Sequence, residues 1–251
     1  MNLAVREISK QFGRIMALKR VSFEVAEGES VGLIGHNGSG KTSLLNLISR
    51  LIDTDQGDIF LDGNSIINLS PATLFRRGLA RIFQGRTLCN DLTIQDNIEL
   101  GLYFRQSIRE RFYPRSSRGS QSSRSKALME RLELLPIARR FPNQVSAVEQ
   151  RKAELARALV AEPALILLDE PSAGFSSSER ADFSSQVQML RAEKIGLLIT
   201  EHDFSMLSNV CDRLVVLARG QIIAVGSPSE VIHSPTVLQA YLGKPCSESV
   251  I

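Results

Sequence analysis

The sequence has few of the features that mark a secreted, zinc-binding or membrane-spanning protein. Its three cysteines, Cys89, Cys211 and Cys246, are scattered, and no CxxC or Cys/His spacing joins them. We therefore expect neither a disulfide framework nor a zinc site, and free thiols suit a reducing compartment. The first residues, MNLAVREISKQF, carry charges throughout and lack the apolar core of a signal peptide. The longest apolar runs have strand length, so we expect no membrane-spanning helix.

Neither basic nor acidic residues are in large excess. The chain has 30 Lys and Arg against 27 Asp and Glu, which gives a net charge of +3. Such a balance does not by itself predict a nucleic-acid partner or an acidic substrate. The apolar fraction of 43% is ordinary for globular proteins, and 251 residues suffice for one large domain with a sizeable core.

One segment departs from this even balance. Residues 105–126, RQSIRERFYPRSSRGSQSSRSK, are rich in Ser and Arg and contain a single acidic residue. This composition is typical of a solvated, mobile excursion from a fold. It also suits a basic surface for lipid headgroups or for a partner protein, and both interpretations stay open.

Short apolar runs alternate with helical patterns along the chain. Alternating or continuous apolar residues predict strands over residues 21–25, 30–34, 58–61, 79–83, 165–168, 196–200, 214–217 and 221–225. Helical spacing predicts helices over residues 41–51, 93–104, 127–135, 149–162, 178–193, 204–211 and 228–242. The alternation of strand and helix after residue 165 favours an α/β fold with a parallel sheet.

A glycine-rich turn follows the strand predicted over residues 30–34. Its residues match GxxxxGK[ST]: Gly35, His36, Asn37, Gly38, Ser39, Gly40, Lys41 and Thr42. Glycines let backbone N–H groups approach phosphate oxygens, and the start of the next helix adds partial positive charge. The Lys41 ammonium suits β- and γ-phosphates, and the Thr42 hydroxyl is a hard ligand for Mg²⁺. The alternative is a structural turn with a chance lysine.

Two acidic residues follow the strand predicted over residues 165–168. Ligands of open α/β sheets bind at the carboxyl ends of the strands, where Asp169 and Glu170 stand. We expect Asp169 to complete a Mg²⁺ site with Thr42. Adjacent strand residues face opposite ways, so Glu170 reaches the same site only if the strand ends there, which Pro171 favours. Glu170 would then act as general base on the attacking water. The alternative for such a pair is a helix cap or a salt bridge.

With these motifs in place, the sequence resembles the ATP-binding subunit of ABC transporters, from about residue 3 to residue 243. Three more positions carry the likeness in the family's order and spacing. Phe12 in KQFGRIMAL resembles the aromatic residue that stacks on adenine. Gln84 in RIFQGRTL resembles the loop glutamine that reaches Mg²⁺ and senses the membrane partner. His202 in LLITEHD resembles the switch histidine that contacts the γ-phosphate.

The resemblance implies an architecture and a role. It implies a P-loop core with a mostly parallel sheet, an N-terminal antiparallel β portion and a helical subdomain at about residues 90–160. These would form a single domain over residues 1–243, followed by a tail over 244–251. The implied activity is hydrolysis of ATP with Mg²⁺, coupled to transport, by a peripheral protein on the cytoplasmic face of the cell membrane.

The resemblance also implies partners. Two such chains dimerise head to tail, as a homodimer or a heterodimer, and clamp two ATP molecules between them. Transmembrane permease subunits would dock on the helical subdomain. A periplasmic or extracellular substrate-binding protein would take part indirectly, and no nucleic acid is expected.

One motif departs from the family pattern. The family signature LSGGQ, or LSYGQ in amino-acid importers, is followed by QR, whereas residues 145–151 read VSAVEQR. Ser146 keeps the position expected to contact the ATP of the partner chain. Both glycines are lost, and Val148 disfavours a positive φ. Glu149 places a carboxylate near a phosphate, which is repulsive. We expect an impaired site within a heterodimer; the alternative is a variant signature that still works through backbone contacts.

The substrate and two rival functions stay open. The C-terminal run that ends in AYLG resembles branched-chain or hydrophobic amino-acid importers, with urea or short-amide importers as near neighbours. One rival is a soluble ABC-type ATPase whose basic segment 105–126 neutralises nucleic-acid phosphates. The other is a nucleotide-binding regulator without turnover, against which Glu170 argues.

Overall fold

The computed structural model describes residues 1–105, 118–202 and 204–242. The strands in these ranges are β1 (Leu3–Phe12), β2 (Ile15–Val25), β3 (Ser30–Ile34), β4 (Gln56–Leu61), β5 (Asn64–Ser65), β6 (Leu79–Ile82), β7 (Leu165–Asp169), β8 (Gly196–Thr200), β9 (Arg213–Ala218) and β10 (Gln221–Gly226). The α-helices there are α1 (Lys41–Ile48), α2 (Pro71–Arg76), α3 (Ile94–Arg105), α4 (Arg118–Arg131), α5 (Ala147–Leu159), α6 (Ser177–Ala192), α7 (Phe204–Val210), α8 (Pro228–Ile232) and α9 (Pro235–Leu242). Residues 106–117 of the basic segment and the predicted tail over 244–251 lie outside the described residues.

The central sheet has six strands in the order β10-β9-β3-β8-β7-β6. Its strands are parallel except for β10, which forms an antiparallel hairpin with β9. The hairpin turns at Arg219 and Gly220, whose φ angles are 48° and 76°. Because β3, β6, β7 and β8 are parallel, the residues that follow them meet at one edge of the sheet. The predicted parallel α/β fold is confirmed.

The central sheet carries a core on each of its faces. On β7, Leu165 and Leu167 pack toward α1 and the N-terminal sheet, whereas Ile166 and Leu168 pack toward the helices of the other layer. All four side chains are fully buried. Burial on both faces explains why the strand is a continuous apolar run rather than an alternating one.

A second, antiparallel sheet lies over α1, with strand order β2-β1-β4-β5. The apolar residues of α1, from Leu44 to Ile48, join the core between the two sheets. The N-terminal antiparallel portion implied by the family resemblance is therefore present. The sequence pattern does not predict strands β1 and β5 or helix α2 individually.

Helices α3, α4 and α5 form the helical insert. Glycine lets α3 approach α5 closely, since a Cβ on Gly101 would lie 2.2 Å from the carbonyl oxygen of Arg157. The predicted helix over 127–135 begins earlier, at Arg118, so residues 118–126 of the basic segment are helical. The helix packs Met129 into the core, and such packing outweighs the weak helix propensity of its serines. No helix in the described ranges is long and apolar enough to cross a membrane.

Candidate nucleotide-binding and hydrolysis site

The glycine-rich turn joins β3 to α1 and is shaped by close backbone contacts. A Cβ on Gly35 would lie 2.3 Å from the carbonyl oxygen of Leu217, and Gly40 adopts a φ of 110°. A Cβ on Gly40 would also lie 2.7 Å from the carbonyl oxygen of Ala17 in β2. Only glycine fits these two positions. The turn is therefore a cradle of backbone groups, in which a side chain at either position would clash.

The start of α1 is left open toward this cradle. Gly40 stands at the N-cap with no side-chain hydrogen bond, and the first turn holds no acidic residue. The first backbone N–H groups of a helix have no intrahelical partner, so they are free to bind an anion. The Ser39 hydroxyl is buried in the turn and has no hydrogen-bond partner among the described residues. These features fit a phosphate group.

Lys41 is buried at the base of the turn. Its ammonium donates to the carbonyl oxygens of Gly35 at 2.6 Å and His36 at 3.2 Å. Burial lowers the pKa of Lys41, and the charges of Glu170, Asp169 and Glu201 oppose that shift. An ammonium has three donors, so one remains for a ligand oxygen. Phosphates would bring this cation the negative partners that a buried charge requires.

Asp169 ends β7 with both carboxylate oxygens bound by protein donors. Arg81 on β6 donates to Oδ2 at 2.8 Å, and the Thr200 hydroxyl on β8 donates to Oδ1 at 3.0 Å. The Asp169 side chain is 3% exposed and that of Arg81 is 6% exposed. Sequence analysis missed Arg81, because nothing local in LARIF shows which side chain it meets 88 residues later.

Glu170 turns out of the strand, as the sequence argument required. Its φ is 45°, and its N–H donates to the carbonyl oxygen of Thr200 at 3.0 Å. The side chain accepts a hydrogen bond from Nε2 of Gln84 at 2.6 Å, and Nε2 of His202 lies 2.6 Å from its other oxygen. The structure thus brings together Gln84, Glu170 and His202, three residues singled out from the sequence.

Glu201 is a further buried carboxylate that the sequence analysis did not identify. It accepts hydrogen bonds from the backbone N–H and the hydroxyl of Ser172, at 2.8 and 2.7 Å. It therefore fixes the loop after Glu170 to the end of β8. The only signal in the sequence was its place between Thr200 and His202.

The oxygen donors near the turn fit a Mg²⁺ ion that accompanies phosphates. Among the described residues, no group of three or more His, Cys, Asp and Glu side chains is placed to hold a metal alone. Mg²⁺ usually takes one or two carboxylates together with phosphate oxygens and waters. The exposed Thr42 hydroxyl and the carboxylate of Asp169, which keeps free lone pairs, suit this pattern. Gln84 would use its amide oxygen, since its Nε2 is bound to Glu170.

The other predicted ligands lie around the mouth of the turn. Phe12 is 46% exposed at the tip of the β1–β2 hairpin, and the Lys10 ammonium lies 5.6 Å from its ring centroid. Ala17 of the same hairpin touches the turn at Gly40. His36, Asn37 and Gly38 are exposed, and Nε2 of His36 lies 3.2 Å from the carbonyl oxygen of Ala240 in α9.

Comparison with known proteins identifies the family and the fold. Residues 18–173 match the ABC transporter family. A probable ABC transporter ATP-binding protein of Azorhizobium caulinodans is 32% identical over 246 residues, which are 97% of this chain and 83% of that protein. The lipopolysaccharide export system ATP-binding protein LptB of Escherichia coli K12 is 31% identical over 96% of this chain and 97% of its own length.

The chain belongs to the ABC transporter family.

Other relatives of this ABC cassette agree in fold and differ in cargo. The sulfate/thiosulfate import ATP-binding protein CysA of Synechococcus elongatus is 34% identical over 93% of this cassette, which spans 64% of CysA. A nucleotide-free ATP-binding cassette from an ABC transporter has a TM-score of 0.85 and 31% identity, with 97% of this chain and 100% of that chain covered. A dimeric cassette bound to ADP and Pi has a TM-score of 0.79 and 26% identity, with 90% and 98% covered.

These relatives define the activity of the cassette and leave its cargo open. The cassette is an ATPase of the transport family that binds ATP with Mg²⁺. CysA is named for sulfate and thiosulfate import and LptB for lipopolysaccharide export. The predicted assignment to amino-acid importers gains no support from them.

The variant signature of the ABC cassette forms the start of α5. Ser146 is the N-cap, and its hydroxyl accepts from the N–H of Glu149 at 3.2 Å. The Glu149 carboxylate in turn accepts from the N–H of Ser146 at 2.7 Å, which completes a capping box. Val148 is helical and buried in the core, and neither it nor Ala147 has a positive φ. Loss of the glycines therefore does not strain the backbone, in keeping with the preference of Val148 against a positive φ.

The same helix of the ABC cassette holds the loop that carries Gln84. Arg151 donates to the carbonyl oxygens of Phe83 at 2.7 Å and Gln84 at 3.1 Å. One turn further along, Glu154 accepts from the N–H of Thr87 at 2.6 Å. Arg157 then donates to the carbonyl oxygen of Thr87 at 2.9 Å. Three side chains, spaced three residues apart along α5, thus form hydrogen bonds with residues 83–87.

Proposed function

We propose that this cassette hydrolyses ATP to drive a membrane transporter, as a peripheral subunit on the cytoplasmic face of the cell membrane. One observation carries the proposal. The Glu170 carboxylate is held by Gln84 and His202 at the edge of the sheet that bears the phosphate cradle. A site that only stored nucleotide would have no need of a carboxylate fixed in this way, which argues against a regulator without turnover.

Each residue of the site has a role in this proposal. The backbone of residues 35–42 and the Lys41 ammonium bind the phosphates, and Phe12 stacks on the adenine. Thr42, Asp169 and Gln84 hold Mg²⁺, which when bound neutralises charge on the phosphate oxygens. Glu170 accepts the proton of the attacking water, and His202 faces the γ-phosphate.

The experiment that tests this function starts from the native complex. The tagged chain is purified from solubilised membranes of its own cell, and ATP hydrolysis is measured with the co-purified proteins identified. We expect transmembrane permease subunits and a second ABC ATPase chain. Absence of any membrane protein, together with salt-dependent binding of nucleic acid, would instead favour the soluble ABC ATPase.

We further propose that the two ATP sites of the dimer are unequal. Support comes from a contrast between two helix starts of the same chain. The start of α1 has no side-chain cap and no acidic residue, whereas that of α5 holds the Glu149 carboxylate bonded to the backbone of Ser146. A carboxylate at a helix start occupies the place that favours an anion. A phosphate offered to Ser146 would therefore meet a negative charge, and a partner chain with an intact signature would supply the competent site.

Glu149→Gln tests this asymmetry, because glutamine keeps the capping box and removes the charge. We expect the ATPase rate of the assembled complex to rise severalfold. The matched control is Glu230→Gln, which changes the same capping box at Ser227 of α8. Restoring Gly at 147 and 148 together with Gln at 149 should raise the rate further. Rates equal to the control for both variants would mean that the signature already works.

The cargo is proposed on sequence likeness alone. Import of branched-chain or hydrophobic amino acids rests on the C-terminal run that ends in AYLG, with urea or short amides as the alternative. In this proposal the residues of the site bind the nucleotide, so they do not indicate the cargo. Uptake of labelled leucine, urea and sulfate by cells with and without the chain would separate these cargoes, with loss of leucine uptake alone as the expected result.

A further inference from the structure

We propose that Arg81 is a positioning residue that fixes Asp169 against α1, so that Asp169 and Thr42 meet on one metal ion. The inference rests on the proposed Mg²⁺ site. Arg81 begins the stretch RIFQGRTL, in which the sequence resemblance gave a role to Gln84 alone.

Arg81 joins two elements of the site through a single guanidinium. Nη2 donates to Oδ2 of Asp169 at 2.8 Å, at the end of β7. Nη1 donates to Oδ1 of Asn46 and to the hydroxyl of Ser49, both at 2.7 Å. Asn46 lies on α1, and Ser49 is the C-cap of that helix. The planar guanidinium holds these directions fixed, as a lysine ammonium on a flexible stem would not.

The residues held by Arg81 share a helix face with Thr42. Positions 42, 46 and 49 follow the spacing i, i+4 and i+7, which places them on one side of α1. The face that carries the Thr42 hydroxyl is therefore the face turned toward Arg81 and Asp169. A change in the grip on Asn46 and Ser49 would shift Thr42 relative to the carboxylate.

Burial makes this link strong. The Arg81 and Asp169 side chains are 6% and 3% exposed, so neither charge is screened by water. Burial lowers the pKa of Arg81 and the ion pair with Asp169 opposes that shift, yet a guanidinium stays charged. Removal of Arg81 would leave a buried carboxylate whose remaining donor, among the described residues, is the Thr200 hydroxyl.

The contacts with Arg81 hold the Asp169 carboxylate and still leave it lone pairs with which to bind a metal ion. A carboxylate has about four lone-pair sites, and Arg81 and Thr200 occupy one on each oxygen. Outer residues that orient a metal ligand typically change metal affinity by about 10–100-fold when they are replaced. We therefore expect Arg81 to affect binding of the metal more than binding of the nucleotide.

The test measures how much Mg²⁺ strengthens nucleotide binding. Affinity for the non-hydrolysed analogue AMP-PNP is measured by calorimetry with Mg²⁺ and with EDTA, and the ratio of the two affinities is compared between variants. We expect Arg81→Met to reduce this ratio about tenfold. Arg81→Lys, which keeps the charge and folds more readily, should reduce it as well, because an ammonium does not span Asn46 and Asp169 in fixed directions.

Arg50→Met is the matched control. The Arg50 side chain is 8% exposed and is paired with Asp53. Like that of Arg81, its buried Nε has no hydrogen-bond partner in the part of the chain that the structure describes. Its loss should lower stability without changing the affinity ratio. If the wild type binds AMP-PNP equally well with Mg²⁺ and with EDTA, the metal site and this inference are both overturned. A clear wild-type ratio that persists in both Arg81 variants, even if binding weakens equally with Mg²⁺ and EDTA, would overturn the role of Arg81 alone.

Discussion

The Nε2 atom of His202 lies 2.6 Å from one carboxylate oxygen of Glu170, and these residues follow two adjacent strands, β8 and β7. The other oxygen of Glu170 accepts from Gln84, which follows β6. Neighbouring parallel strands therefore deliver the donors to both sides of one carboxylate. The orientation of the carboxylate is set by the sheet itself.

Replacement of this carboxylate should separate binding from turnover. We expect Glu170→Gln to lower the rate of ATP hydrolysis by about 10²–10⁴-fold, because a general base contributes about that much. ATP affinity should stay near that of the wild type, since the cradle and Lys41 are unchanged. Phosphate release and calorimetric titration measure the two quantities, with Glu179→Gln as a control that keeps the site intact. Equal hydrolysis by Glu170→Gln and wild type would refute the catalytic assignment.

A methyl group on Gly40 should damage the phosphate cradle. The φ of 110° is unfavourable for alanine, and the added Cβ would lie 2.7 Å from both the Ala17 carbonyl oxygen and Cδ2 of Leu18. We expect Gly40→Ala to weaken ATP binding at least about tenfold. Gly63→Ala provides the control, since its φ is 76° but a Cβ there would meet nothing within 4 Å. If both variants bind ATP as the wild type does, the turn does not hold phosphates.

Phe183 on α6 should be a major contributor to stability. Its side chain is fully buried, and its ring meets that of Phe175 edge-on at a centroid distance of 5.9 Å. Phe183→Ala should lower the free energy of unfolding by about 3–5 kcal/mol, as large-to-small core changes do. Met189→Ala, on the same helix and 41% exposed, should stay within about 0.5 kcal/mol. Urea denaturation compares them, and equal costs would show that the packing around Phe183 is loose.

Two cysteines should differ in reactivity. Burial raises the pKa of the Cys211 thiol from 9.0 to about 12, whereas Cys89 is exposed. Because the thiolate is the nucleophile, iodoacetamide at pH 8 should label Cys89 at least about tenfold faster than Cys211 in the native protein. Mass spectrometry reports both sites, and labelling in urea should remove the difference. Equal native labelling would contradict the burial of Cys211.

The same thiol predicts a pH dependence of stability. The pKa of Cys211 is higher in the folded than in the unfolded chain, so the unfolded chain loses its proton first as the pH rises. The neutral thiol thus contributes stability that is fully present below pH 9 and is lost as the pH approaches 12. The free energy of unfolding of the wild type, measured by urea denaturation, should fall over this pH interval more than that of Cys211→Ala. Parallel pH curves for the two proteins would speak against the raised pKa.

Local patterns in the sequence were enough for much of the fold. The strand–turn–helix around Lys41 and the apolar strand before Asp169 are short-range signals, and the structure has both. Even the turn at Glu170 followed from a local rule, that its side chain joins the site only if the strand ends. The parallel sheet followed from the order of the elements.

Contacts between distant parts of the chain were beyond such reasoning. Arg81 and Glu201 have buried side chains whose partners are distant in the sequence, so the residues around them do not predict these contacts. Val148 shows the same limit in another way. Comparison with the signature motif bears on the backbone φ at this position, whereas the phase of α5 decides that the side chain lies in the core. A motif comparison does not include the phase of a helix.

The hydrogen bonds from α5 to residues 83–87 couple the position of the Gln84 loop to that of the helical insert. The backbone of Phe83 and Gln84 is bonded to Arg151, so a tilt of the helical insert would carry the Gln84 amide with it. That amide is one of the two donors that steady the Glu170 carboxylate. A protein bound to the insert could therefore control the attack of water from a distance. It would slow or speed up ATP hydrolysis without contacting the nucleotide.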